Sequence, residues 1–91
     1  RLLPATPNPF NPATSIRYDV AADHEGDLTL RLYDVTGRLV RTLVDGQVGP
    51  GRHSVPWDGR DDAGRACSSG IYFIRLVAGE ELDVSKIAML K

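Results

Sequence analysis

The chain has 91 residues, enough for one small domain with a single core and little stability to spare for a deep substrate cavity. A formal net charge of −1 supplies no basic excess for nucleic acid or anionic lipid, and no apolar run is long enough for a membrane helix. Cys67 is the single cysteine, which excludes an internal disulfide and a multi-cysteine zinc site; among Ala66, Ser68 and Ser69 it reads as a small core residue.

Residues 1–14 form a lead-in. Pro4, Pro7, Pro9 and Pro12 lack amide donors and hold φ, so this stretch is extended or turning, not a helix or a central strand. Phe10 is its one large apolar side chain and is expected to plug an end of the domain. The domain proper is expected over 15–91. The chain begins at Arg1 rather than Met, which reads as a processed protein or a piece of a longer one. The lack of a leader therefore says nothing about secretion.

Strands follow in short order. Ile16, Tyr18 and Val20 alternate with polar residues, and so do Leu28, Leu30 and Leu32 after the polar turn at Asp23–Asp27. Asp34 to Arg38 reads as a hairpin turn with Gly37 free to take positive φ. Leu39, Val40, Leu43 and Val44 would fit one helical stripe as well. About six residues between breakers favour a strand, with room for a bulge. His53, Val55 and Trp57 alternate next, and Pro56 sends that strand to an edge. The polar loop Asp58–Gly64 leads to the strongest β signal, Ile71 to Ala78, with Tyr72, Ile74 and Leu76 on one face. Leu82 to Leu90 forms a last strand. Short strands between turns and no long amphipathic helix imply an all-β, antiparallel sandwich.

Candidate chemistry is sparse. Asp58, Asp61 and Asp62 could bind Ca²⁺, but in an EF-hand frame beginning at Asp58 the third position is Arg60 and the sixth Ala63. Capped turns explain these carboxylates better. His24 and His53 lack ligand spacing; His24 is expected to be solvated and His53 packed on a sheet face. No serine sits in a nucleophile elbow, and no phosphate loop follows Gly46–Gly51. The residues imply no cofactor, no metal, no small-molecule substrate, no nucleic-acid partner and no membrane insertion, so a non-enzyme is expected.

Read together, the punctuation resembles a known family. It comprises Asn8-Pro9-Phe10-Asn11-Pro12, then Asp34 with Gly37 and Arg38, then Trp57-Asp58-Gly59 with Gly64, and finally Gly70 with Tyr72. The whole chain resembles the C-terminal (type A) sorting domain of cargo exported by the bacterial type IX secretion system. It also resembles the immunoglobulin-like domain of the flagellar hook-capping protein, which its Trp57–Gly64 loop matches more closely. The resemblance implies an immunoglobulin-like sandwich of about seven strands attached to a larger secreted protein at the bacterial cell surface. It further implies a non-catalytic sorting or anchoring module whose last strand is read by the secretion machinery, through Lys86, Met89, Leu90 and Lys91. The alternative is a structural or adhesive module that contacts neighbouring protein domains or self-associates through its edge strands into a surface filament.

Overall fold

Apolar residues at alternate positions make half-buried strands, and the described residues fold into six strands. The computed structural model describes all residues except Pro12 and Glu25. The strands are β1 (Thr14–Val20), β2 (Asp27–Tyr33), β3 (Leu39–Gln47), β4 (Gly51–Trp57), β5 (Gly70–Ala78) and β6 (Glu81–Met89). All ladders are antiparallel. They form a two-stranded sheet, β1-β4, and a four-stranded sheet in the order β3-β2-β5-β6. The molecule is an all-β sandwich, as the alternation implies.

The resemblance implies about seven strands, and six form among the described residues. The lead-in adds no further strand. It runs antiparallel beside β1, with bridges at Leu2–Tyr18 and Thr6–Ser15, then crosses to the other sheet and bridges Phe10 to Met89 of β6 in parallel. Prolines interrupt its donors, so it makes isolated bridges instead of a continuous strand. It still seams the two sheets together along one side. Arg17 reinforces the seam by donating from Nη2 to the Pro4 carbonyl at 2.8 Å, and buried Thr14 donates from Oγ1 to the Pro7 carbonyl at 2.7 Å.

The core lies between the sheets. Ile16, Tyr18, Val20 and Trp57 enter it from one side, and Leu28, Leu30, Leu32, Ile74, Leu76, Ile87 and Met89 from the other. The β2–β3 ladder shifts register between Leu30 and Arg31 and again between Leu32 and Tyr33. These bulges leave Leu43 and Val40 as the extra residues of β3, and Val40 is buried while Leu43 and Val44 pack against the core. Two bulges in one strand break its period of two, which is why its apolar residues resemble a helical stripe.

Leu30 is fully enclosed at the centre of this core. Leu30→Ala is expected to cost about 2–5 kcal/mol, a large share of the stability of a domain this small. Chemical denaturation followed by Trp57 fluorescence would measure it; a midpoint near that of the parent would contradict the register.

Candidate interaction site at the C-terminal strand

Three aromatic side chains meet at one end of the sandwich. Phe10 of the lead-in lies 5.3 Å from Trp57, the last residue of β4, and Trp57 meets Tyr72 of β5 edge-on at 5.3 Å. The offset, tilted arrangement suits the ring quadrupoles. Their polar ends are satisfied: Trp57 Nε1 donates to the Arg60 carbonyl at 2.8 Å, and Tyr72 Oη to the Ser68 carbonyl at 2.6 Å. A tyrosine hydroxyl bonded a few residues upstream of its strand is a recurrent device of immunoglobulin-like sandwiches.

With Phe10 anchored, the lead-in clamps the end of β6. The Phe10 amide donates to the Ala88 carbonyl at 3.0 Å, and the Leu90 amide donates back to Phe10 at 2.9 Å. Asn8 Oδ1 accepts from the Ala88 amide at 3.0 Å, and the Lys91 amide donates to Ser69 Oγ at 3.0 Å. Asn8 therefore supplies a side-chain acceptor for the Ala88 amide at the edge of β6. Pro9 and Asn11 are exposed, and Pro12 lies outside the described residues.

The sandwich divides the four residues singled out at the C-terminus. Lys86, Leu90 and Lys91 are exposed, while Met89 is completely buried. Met89 has the parity of Ile87 and points into the core, so it cannot be presented by the folded domain. Ile87 is the strand's other apolar anchor; Leu90, 57% exposed, is not one.

Two turns stand over the same end. In Asp34–Arg38, Asp34 Oδ1 accepts from the amides of Thr36 and Arg38 at 2.9 and 3.1 Å, and from the Thr36 hydroxyl. In Asp61–Arg65, Asp61 Oδ1 accepts from the amides of Ala63 and Arg65, both at 2.9 Å. Gly37 and Gly64 take φ of 87° and 81° at equivalent places. Each arginine pairs with its own aspartate, at 3.3 and 3.5 Å. The turns are two copies of one Asp-x-x-Gly-Arg motif. That spacing is legible at 34–38 and 61–65, but the sequence reading did not connect them.

The Asp58–Gly64 loop is thus a set of caps. Asp58 accepts from the Arg60 amide at 3.0 Å. Asp62 receives the Thr42 amide at 3.1 Å while its own amide donates to the Val40 carbonyl, so the loop covers part of the open edge of β3. The carboxylates are committed to separate protein donors, and among the described residues no cluster of three metal-ligating side chains forms. Gly59 is buried beneath the loop, and Gly70 opens β5 with φ of 150°.

Between the twin turns lies an open cleft of about 630 Å³, lined by Leu39, Ala66, Cys67, Ser69 and Tyr72 among others. Burial and the nearby Asp61 carboxylate push the Cys67 thiol up, away from the thiolate that nucleophilic attack requires. His53 stacks on Tyr18 at 5.4 Å with Nε2 2.7 Å from the Gly49 carbonyl, on the other sheet. His24 is half-buried, not freely solvated as its polar turn suggested.

A family model described as the FlgD Ig-like domain matches residues 10–81, from the aromatic plug to the start of β6. The chain belongs to the FlgD Ig-like domain family. Its fold also matches part of PorZ, described as an essential bacterial surface component of the type-IX secretion system of Porphyromonas gingivalis. That match has 18% identity and a TM-score of 0.70, covering 99% of this chain and 11% of PorZ. The chain therefore corresponds to a small part of that much longer protein. No curated protein sequence matches significantly. The hook-capping family named by the sequence motifs is thus recovered, and the likeness to part of PorZ shows a shared fold.

Phe10→Ala is expected to cost about 3–5 kcal/mol and to loosen the clamp. Hydrogen exchange would show the Ala88 and Leu90 amides speeding up more than the β2 amides; uniform acceleration would mean that Phe10 only fills volume. The twin turns predict an acid response. The Thr36 hydroxyl and then backbone amides lower the Asp34 carboxyl from its ordinary value, and the Arg65 and Ala63 amides lower that of Asp61. A depressed folded-state pKa gives stability that is complete above the unfolded value of about 3.9 and is lost as pH falls through the folded value. Replacing Asp34 and Asp61 with Asn should lower the melting temperature at pH 7, and the gap from the parent should narrow as pH falls below the unfolded carboxylate value of about 3.9.

Proposed function

We propose that the chain is a non-catalytic sorting or anchoring module of a secreted bacterial protein, of the type IX secretion kind, acting outside the cytoplasm at the cell surface. The observation that carries this reading is the clamped C-terminal strand. An export signal within a folded domain must be reachable without unfolding, and Lys86, Leu90 and Lys91 are exposed on a strand end pinned by Phe10 and Asn8. The reader would be the secretion machinery, meeting two cations and one aliphatic side chain on a stiff edge. Likeness in fold to a part of PorZ supports that setting. Met89 acts in this reading only as the anchor that fixes where its neighbours point.

A second reading, a structural or adhesive module, is favoured by membership in the hook-capping immunoglobulin-like family. The edges weigh against a filament built by strand addition. Asp62 covers the start of β3, the lead-in covers the end of β6, and Pro56 lies on β4.

The deciding experiment is export of a reporter cargo fused to this domain. Lys86→Ala with Lys91→Ala changes two exposed side chains and should leave the melting temperature within a few degrees. Cargo retained in the cell envelope is the expected result. Normal export of this variant, and of a chain lacking Ser85–Lys91, would replace the sorting role with the structural one.

A further inference from the structure

The two outer faces of the sandwich differ sharply in character. On the β1-β4 sheet the outward residues are polar or proline: Ser15, Arg17, Asp19, Arg52, Ser54 and Pro56. The four-stranded sheet is the opposite. The exposed large apolar side chains among the described residues are Val35, Leu39, Ile71, Leu82, Val84 and Leu90. By strand parity Leu39, Ile71, Leu82 and Val84 belong to its outer face, Leu90 continues β6 on the same parity, and Val35 sits in the turn beside Tyr33. Cross-strand pairs extend the apolar area on either side of the Arg31–Arg75 pair, with Tyr33 opposite Phe73 and Val77 opposite Leu82. A shallow depression of about 280 Å³ among Tyr33, Val35, Phe73, Arg75 and Val84 could seat one apolar side chain. Six large apolar groups gathered on one side of so small a domain mark a contact surface.

Charge identifies the occupant. Arg75 lies directly opposite Arg31 in the β2–β5 ladder, and like charges so placed are unfavourable. Arg31 has Asp45 at 3.8 Å. Among the described residues, Arg75 and Lys86, which lies opposite Phe73, have no carboxylate within ion-pair distance. A second copy docked face to face would bring the same cations together. We propose that the outer face of the β3-β2-β5-β6 sheet docks a protein surface that is apolar at its centre and carries carboxylates. An aliphatic or aromatic side chain of the partner fills the Tyr33–Phe73–Val84 depression, and its carboxylates meet Arg75. This inference does not rest on the export reading, because its centre is Tyr33, Phe73, Arg75 and Val84; Lys86 and Leu90, at its margin, belong also to the strand end.

The test is site-specific photo-crosslinking of the full-length protein in its host cell, with a photoreactive amino acid at Val84 and, as control, at Ser54 on the polar face. Adducts would be sequenced to find the partner segment. The expected result is an adduct from position 84 and not from 54, mapping to a carboxylate-bearing apolar surface of another protein or of another domain of the parent chain. Arg75→Glu should reduce its yield about tenfold while leaving the melting temperature near that of the parent. An adduct with a second copy of this domain, an adduct with lipid, a yield indifferent to Arg75→Glu, or no adduct at position 84 would each overturn the proposal. Because Arg75→Glu and the probe at Val84 leave Lys86 and Lys91 untouched, failure here leaves the export experiment unaffected.

Discussion

The contact on which the structure depends is the aromatic junction of Phe10, Trp57 and Tyr72. One ring comes from the lead-in, one from the two-stranded sheet and one from the four-stranded sheet. Without a disulfide to cross-link the sheets, this junction is where all three pieces are held at once. Large rings suit that task because each removes much surface from water with only two rotatable bonds, so the ordering entropy is small beside the burial. Trp57 also fixes the following loop through the Arg60 carbonyl, and Tyr72 fixes the preceding one through Ser68. The lead-in, β4, β5 and the loop that joins those two strands therefore share one anchor.

The edges of the sheets follow from that anchor. A small antiparallel sandwich has open edges, and each is a template for unwanted pairing. Here the anchored lead-in lies along β1 and then along the end of β6, and the anchored loop lays Asp62 against β3. The Asp61–Arg65 turn stiffens that loop, since one carboxylate oxygen satisfies successive amides that would otherwise need water. Side chains thus substitute for missing backbone partners wherever proline or a turn has interrupted the ladder. Asn8 against Ala88 does the same on the opposite edge.

Both functional proposals use what remains outside. The cleft holds capped carboxylates and a thiol whose pKa burial pushes up, which suits it to packing more than to chemistry. The strand end offers charges on a rigid support, and the outer sheet face offers apolar area broken by unneutralised arginine. These are features of recognition by other proteins, in keeping with a family whose members are immunoglobulin-like modules.

Local pattern was enough for much of this. Leu28, Leu30 and Leu32, and Tyr72, Ile74 and Leu76, announce buried faces because a strand's period of two needs no knowledge of its partner. Phe10 as a plug and Pro56 on an edge follow from composition and missing donors alone. Tertiary structure decided the rest. Leu90 and Met89 are adjacent apolar residues, and only the register of β6 on β5, with Met89 opposite Gly70, sends one inside and leaves the other in water. A shift of one residue would exchange them. The bulges that hide Val40's strand character depend on β2, and the seat of Asn8 and Phe10 on Ala88 joins positions 80 or so residues apart. The pairing of Arg31 with Arg75, and the apolar face around them, exists only once β2 lies beside β5. Sequence determines which side chains a strand separates onto its two faces; the packing of the sheets determines which face meets the core and which is left for a partner.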